Sequence, residues 1–279
     1  MSLKTKEKIY GLLGFPVKHS LSPRMHNAAL AALKIKAKYK LFPIPPQEFK
    51  NFIASLKVKN IYGFNVTYPY KEEILSFLKT KSVEVKKIGA ANTVVVDRFG
   101  KLHGFNTDGL GFIQDLKVLK IRPQKVALIG AGGAAKAVSF ACGKLKVQEL
   151  CIYDQDKFKA LSLFKKLNSE YPETKFDVVR RITDLDLAKK DLLVNATPVG
   201  MQATDALLIS GRDLHPGLFV YDLIYSPRET KLLALAKAHN LNFANGLGML
   251  FYQGVFAFRH FTGKNPPLKI MQEALGKGA

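Results

Sequence analysis

Tryptophan is absent from the 279 residues, and only two cysteines, Cys142 and Cys151, occur. Two thiols in separate apolar stretches provide neither a disulfide framework nor a zinc site, so buried thiols in a reducing compartment are expected. Acidic residues are scarce as well: 22 Asp plus Glu stand against 43 Lys plus Arg, a formal net charge of +21. Such a surface attracts anions. A nucleic-acid binder would gather that charge into a patch or tail, whereas these lysines are dispersed, and no finger, basic-zipper or RNA-binding signature accompanies them. The charge is therefore read as a solvated surface on an enzyme whose substrate and cofactor are anions, with no nucleic-acid partner. No run of roughly 18 apolar residues exists, the length a membrane-crossing helix needs. Lys4, Lys6, Glu7 and Lys8 are not followed by the apolar stretch of a secretory leader, so a soluble cytoplasmic protein is expected.

What is present is ample core material. At 47% hydrophobic, 279 residues can build one large or two modest domains. Short β-branched or apolar runs alternate with longer amphipathic stretches, the pattern of an α/β fold with parallel sheets. Residues 9–14 read as a strand, and 23–33 as a helix with Ser22 as N-cap and Pro23 at its first position. Strands follow near 39–42 and 63–67, with a helix over 49–56 between them. Helices are expected around 71–78 and 82–88. A hairpin then pairs 93–96 with 102–105 through Arg98, Phe99 and Gly100.

After a helical stretch from Asp108 to Leu119 comes the clearest local signal, Val126-Ala-Leu-Ile-Gly-Ala-Gly-Gly-Ala-Ala135. An apolar strand runs into a glycine turn and then a helix, the entrance of a nucleotide-binding βαβ unit. Gly130 permits the tight turn and Gly132 lets backbone approach a pyrophosphate. The helix N-terminus offers free N–H groups and a positive dipole end. A second strand at 149–153 ends in Asp154-Gln155-Asp156, where an acid about twenty residues beyond the glycines meets the adenosine ribose. A carboxylate at Asp154 suits the ribose hydroxyls of NAD and repels the 2′-phosphate of NADP unless Lys157 or Lys159 screens it. The alternative is a solvated Asp in the loop after a strand.

Four other segments are too polar and glycine-rich for simple core. In Gly14-Phe-Pro-Val-Lys-His-Ser-Leu-Ser-Pro23, Ser20 and Ser22 sit at the mouth of a helix, where hydroxyls and backbone donors suit a carboxylate. Capping would account for Ser22 but not for Ser20. Gly63-Phe-Asn-Val-Thr-Tyr-Pro-Tyr-Lys71 brings Lys71 to the carboxyl edge of a strand, where open α/β sheets bind ligands. Alone, Lys71 would pass for one solvated lysine among many. The loops Gly89-Ala-Ala-Asn-Thr93 and Gly104-Phe-Asn-Thr-Asp108 offer Asn92 and Asp108.

Together with Val194-Asn-Ala-Thr-Pro-Val-Gly-Met201, Tyr221-Asp-Leu-Ile-Tyr-Ser-Pro-Arg-Glu-Thr230 and Asn245-Gly-Leu-Gly-Met-Leu-Phe-Tyr-Gln-Gly254, these segments resemble the shikimate dehydrogenase family over nearly the whole chain. The family includes quinate/shikimate dehydrogenases. The resemblance implies two α/β domains with the active site in a cleft between them. They are a substrate-binding catalytic domain, 1–107 plus 246–279, and an NAD(P)-binding Rossmann domain, 108–245. It implies Lys71 as proton donor and acceptor paired with Asp108. Ser20 and Ser22 would hold the substrate carboxylate with help from Tyr225. Asn92 and Asp108 would hold ring hydroxyls, with Thr67 and Gln253 adding hydrogen bonds.

On the nucleotide side the resemblance implies that Gly130, Ala131, Gly132, Gly133 and Ala134 cradle the pyrophosphate. Asn195, Thr197 and Met201 would border the ribose or nicotinamide, with Gly246 and Met249 at the return to the substrate domain. Asn65 is expected to support its loop, and His19 and His26 to be structural. The activity implied is reversible NAD(P)H-dependent reduction of 3-dehydroshikimate to shikimate in chorismate biosynthesis, by a monomer or homodimer requiring no metal. At Asp154-Gln155-Asp156 the chain departs from the Asn-Arg-Thr-like triplet of NADP-using members, so the family's NADP and the chain's own lean toward NAD or dual use both stand as expectations. Two alternatives remain, a quinate/shikimate dehydrogenase preferring NAD and a non-catalytic ligand sensor of the same fold. The presence of both Lys71 and Asp108, with no DNA-binding module, argues against the sensor.

Overall fold

In a computed structural model, residues 7–276 are described. Lys4 and Lys6 of the basic N-terminal stretch, and residues 277–279, lie outside the described residues. The chain divides into two compact units, residues 1–111 with 250–279, and residues 112–249.

The first unit begins with β1 (Lys8–Gly14), α1 (Ser22–Ala32), β2 (Ala37–Pro43), α2 (Phe49–Ser55) and β3 (Ile61–Val66). It continues with β4 (Leu78–Lys81), α3 (Val83–Ile88), β5 (Thr93–Val96), β6 (Leu102–Phe105) and the start of α4 (Asp108–Val118). Its sheet has the order β2-β1-β3-β5-β6-β4. β1 is parallel to both neighbours, whereas β5 runs antiparallel to β3 and to β6 as the expected hairpin. Strand alternation sends Tyr10 and Leu12 into one buried cluster and Ile9 and Leu13 into another.

β2 and β3 lie on opposite sides of β1, and because β1 and β3 run parallel, the connections leaving them share a carboxyl edge. That is the position where open α/β sheets hold ligands. The two loops are joined by backbone bonds from Thr67 N–H to Leu13 O at 2.9 Å and from Phe15 N–H to Tyr68 O at 3.0 Å.

Two local expectations are corrected. Ser22 is the first residue of α1 and not its N-cap: that place is taken by Leu21, in a helical conformation with no side-chain cap. Leu21 O accepts from Arg24 and Met25 N–H, so the helical turn has already begun there. The helix expected over 71–78 is only a 3-10 turn at Glu73–Phe77, after which β4 pairs in parallel with β6. The apolar spacing of Ile74, Leu75, Phe77 and Leu78 mimics a helical face. Leu78 to Lys81 is a short, mostly exposed edge strand with little sequence signature.

The second unit carries β7 (Lys125–Ile129), α5 (Gly133–Leu145), β8 (Glu149–Tyr153), α6 (Lys157–Glu170), β9 (Lys175–Val178), β10 (Leu192–Asn195), β11 (Phe219–Asp222), α7 (Lys231–Ala238) and β12 (Phe243–Asn245). All its strands are parallel, in the order β12-β11-β10-β7-β8-β9. This is the doubly wound dinucleotide-binding arrangement, with its switch point between β7 and β10. The four central strands, β7, β8, β10 and β11, are nearly continuous apolar runs because helices cover the sheet. Ala127, Ile129, Leu193 and Val220 pack with Leu232, Leu233 and Ala236 of α7. α8 (Leu247–Thr262) and α9 (Leu268–Gly276) complete the chain. α8 starts in the second unit and returns the chain to the first, where Phe251, Phe258, Phe261 and Met271 join Tyr10, Met25 and Tyr39 in one core. Among the described residues, no helix is long and apolar enough to cross a membrane.

Candidate active site

In the first unit, four of the residues singled out from the sequence meet in one hydrogen-bonded group. Lys71, in the turn after β3, places Nζ 2.6 Å from Asp108 Oδ2, at the first turn of α4. Both side chains are largely screened, 17% and 9% exposed, so the pair is shielded from bulk water without being sealed from a ligand. The other carboxylate oxygen, Asp108 Oδ1, accepts from Asn92 Nδ2 at 2.7 Å. Asn92 Nδ2 also lies 2.9 Å from Thr107 Oγ1 and 3.4 Å from Gln253 Oε1 on α8. Asn92 Oδ1 in turn accepts from Thr107 N–H at 2.8 Å and from Thr93 Oγ1 at 2.9 Å.

Asn92 is 3% exposed, so its amide orientation is set by these partners and not by solvent. The chemistry that results is an ammonium held beside a carboxylate whose second oxygen is pinned by a buried amide. Such a group can present a proton at a fixed point. Two members were missed from the sequence, Thr93 and Thr107. The polar run Asn106-Thr107-Asp108 before an apolar helix is the signal that could have raised Thr107.

At the mouth of α1, Ser20 Oγ accepts from Ser22 N–H at 3.2 Å, so the two serines form one local unit. Ser22 is buried and Ser20 half-buried. Thr67, half-buried, closes β3. Asn65, expected to support its loop, donates to Asn92 O at 3.1 Å and to Thr93 Oγ1 at 3.0 Å. His26 is buried against Tyr39, with ring centroids 4.2 Å apart.

In the second unit the glycine turn closes β7. Gly130 has φ +116°, and a Cβ there would press on Ala196 and Thr197 at 3.2 Å, so the turn requires glycine and touches the connection after β10. Gly132 caps α5 in extended conformation with no side-chain cap, and a Cβ built on it meets nothing within 4 Å. Open space at an uncapped helix N-terminus, beside Gly133 and Ala134 of the first turn, fits a dinucleotide pyrophosphate. Ala131 N–H donates to Asp154 Oδ2 at 2.6 Å, and Asp154 Oδ1 accepts from Asp156 N–H at 2.8 Å. Asp156 caps α6 and lies 3.4 Å from Lys159 Nζ.

Asn195 is fully buried, with Nδ2 on Asp222 Oδ1 at 3.0 Å and Oδ1 accepting from Thr197 Oγ1 at 2.7 Å. Its amide thus braces the Thr197 turn. Burial raises Asp222 above the usual carboxylate range. Met201 is half exposed on the following loop. Gly246 passes so close to Leu223 that a Cβ would overlap its carbonyl, while Met249 is buried and Tyr225 half-buried.

The sequence model of the shikimate dehydrogenase substrate binding domain matches residues 12–94, and that of the shikimate 5'-dehydrogenase C-terminal domain matches residues 246–275. A curated shikimate dehydrogenase (NADP(+)) from Geobacillus kaustophilus is 38% identical over 271 residues, 96% of this chain and 97% of that protein. The chain belongs to the shikimate dehydrogenase family. Members of the family are oxidoreductases that act on a CH–OH group. Among solved structures, the shikimate 5-dehydrogenase of Listeria monocytogenes in complex with shikimate and NAD superposes with TM-score 0.87 at 33% identity, covering 99% of this chain and 98% of that one. Quinate dehydrogenase from Corynebacterium glutamicum in complex with NAD gives TM-score 0.88 at 32% identity, covering 97% and 99%.

Proposed function

We propose that this chain catalyses the reversible reduction of 3-dehydroshikimate to shikimate with a nicotinamide dinucleotide, in the cytoplasm. The observation that carries the reading is the Lys71–Asp108–Asn92 group at the carboxyl edge of the first sheet. The bound nicotinamide supplies the hydride when the ketone is reduced and accepts it in the reverse direction. Reduction builds negative charge on the ketone oxygen, and the Lys71 ammonium stabilises that charge and donates its proton there. In oxidation the same nitrogen takes the proton back. Asp108 keeps the ammonium in place, and with Asn92 it offers acceptors and donors to ring hydroxyls. Ser20 and Ser22 present hydroxyls to the substrate carboxylate. Thr67 and Gln253 add hydrogen bonds.

For the cofactor, Gly130 to Ala134 receive the pyrophosphate, and Thr197, Met201, Gly246 and Met249 border the nicotinamide half. Relatives are named for NADP(+). Asp154 nevertheless favours NAD or dual use in this chain. Gln155 is neutral and Lys159 is paired with Asp156, so beside the two carboxylates Asp154 and Asp156 only Lys157 is left to screen a 2′-phosphate. The same feature supports a second reading, a quinate/shikimate dehydrogenase preferring NAD.

One experiment tests both. Purified protein and its Lys71→Ala variant are offered shikimate or quinate with NAD or NADP, and nicotinamide absorbance is followed. Lys71-dependent reduction with shikimate supports the main reading. Preference for quinate with NAD transfers the protein to the second, and no reduction in any pairing defeats both.

A further inference from the structure

The proton-handling group is held from behind by a chain of buried hydrogen bonds that reaches β2. Tyr39 OH donates to Asn65 Oδ1 at 2.8 Å, and both residues are buried, 3% and 5% exposed. Asn65 Nδ2 lies on two acceptors, Asn92 O at 3.1 Å and Thr93 Oγ1 at 3.0 Å. Thr93 Oγ1 in turn donates to Asn92 Oδ1 at 2.9 Å. Asn92 Nδ2 then meets Asp108 Oδ1, and Asp108 Oδ2 meets Lys71 Nζ.

The polarity of this chain is forced. Asn92 O is a carbonyl that can only accept, so Asn65 must present its NH2 to it, and Asn65 Oδ1 therefore faces Tyr39 and needs a donor. The tyrosine hydroxyl supplies it. Tyr39 is itself fixed from α1. Asn27 Oδ1 accepts from Tyr39 N–H at 2.8 Å and Asn27 Nδ2 donates to Tyr39 O at 2.9 Å, while the His26 imidazole lies parallel to its ring at 4.2 Å. The helix that begins with the Ser20–Ser22 pair thereby sets the ring whose hydroxyl orients Asn65.

We infer that Tyr39 is a positioning residue for catalysis, acting through the Asn65 amide to hold Asn92, and so the Asp108–Lys71 pair, in register for proton transfer. The inference rests on the function proposed above. It concerns a residue on β2, away from the turn that carries Lys71 and the loop that carries Asn92, and it reaches them through Asn65.

The test compares Tyr39→Phe, which deletes one oxygen and keeps the ring against His26, with Leu30→Ala, which opens a hole in the same buried cluster. Misplacing a proton donor slows the chemical step. Tyr39→Phe should therefore lose roughly tenfold in kcat, keep KM for shikimate within about twofold, and show a larger primary isotope effect with deuterated nicotinamide. A variant that is merely less stable has fewer active molecules, so Leu30→Ala should lower thermal stability and leave both KM and the isotope effect where they were. A Tyr39→Phe protein with unaltered kcat, or with the profile of Leu30→Ala, overturns the inference.

The side-chain amide resonances of Asn92, assigned by comparison with Asn92→Asp, give a readout that does not depend on turnover. They should move in Tyr39→Phe and stay in Leu30→Ala. Unmoved resonances in Tyr39→Phe overturn the inference even if the wild type is active. A wild type that turns over neither shikimate nor quinate while those resonances respond defeats the proposed function instead.

Discussion

The carboxylate of Asp154 accepts the backbone N–H of Ala131 at 2.6 Å, joining the end of β8 to the glycine turn 23 residues earlier. One side chain thus helps to shape the glycine turn and, in the function proposed above, presents negative charge to the adenosine ribose. Asp154→Asn keeps an acceptor for Ala131 and removes the charge. The ratio of NADP to NAD efficiency should rise by about tenfold, equivalent to about 1.4 kcal/mol. An unchanged ratio in steady-state kinetics with both cofactors would show that Asp154 does not select between them.

The ion pair of Lys71 with Asp108 gives a second expectation. Lys71→Ala should lower kcat by about 10²- to 10⁴-fold, the range for loss of a positioned proton donor, with little effect on shikimate binding by calorimetry. Asp108→Asn leaves the ammonium without its counter-charge and should lower kcat as well. It should also weaken substrate binding, because in the proposed reaction Asp108 holds ring hydroxyls. Equal activity of wild type and Lys71→Ala removes Lys71 from the mechanism.

Stability should depend on pH through His26. Its imidazole is fully buried against Tyr39, and burial holds it down to about 3 against an ordinary value of 6.5. The unfolded chain binds a proton below 6.5 that the folded chain refuses, so this contribution is complete above pH 6.5 and is lost as pH falls toward 3. Between about pH 7 and about pH 5 it should amount to about 2 kcal/mol. Urea unfolding of wild type and His26→Leu should show the wild type losing that much more over this interval. Parallel curves for the two proteins would contradict the assignment.

Tyr221 OH donates to Asp115 Oδ2 in the second unit, and burial raises both groups above their ordinary values. Tyr221→Phe leaves the carboxylate buried without this partner and should cost about 1–3 kcal/mol. A buried carboxyl with a raised value takes up its proton more readily when folded. The deficit should therefore be largest at alkaline pH and shrink on acidification as Asp115 is neutralised. Chemical denaturation at about pH 8 and about pH 5 reads this directly, and a deficit that grows on acidification would reverse the argument.

The dinucleotide-binding unit is legible in the sequence because its signal is local: strand, glycine turn, helix and second strand follow one another within about thirty residues of chain. The lysine site is legible only through its several loops taken together. Asn92 meets Thr107 15 positions away and Gln253 161 positions away, a contact that no periodicity reports. The same holds for the tie between Asp154 and Ala131. β4 is hidden for a different reason: an exposed edge strand of four residues shows no alternation, and the apolar spacing before it imitates a helix. Ser22 reads as a cap because Ser-Pro opens many helices, whereas here Leu21 already has helical geometry.

The first unit is assembled from two separated stretches, and the core around Tyr10, Met25 and Tyr39 takes Phe251, Phe258, Phe261 and Met271 from the second. During synthesis the ribosome therefore releases the whole parallel sheet of the second unit before the residues that cover Tyr10 and Tyr39 have been made. The nascent first unit must wait, with an apolar face uncovered, for about half of the chain to be translated. Because the aromatic packing on Tyr10 and on the His26 ring that backs Tyr39 is completed last, loss of the final two helices would leave Lys71 in place in the sequence but without a finished scaffold behind it.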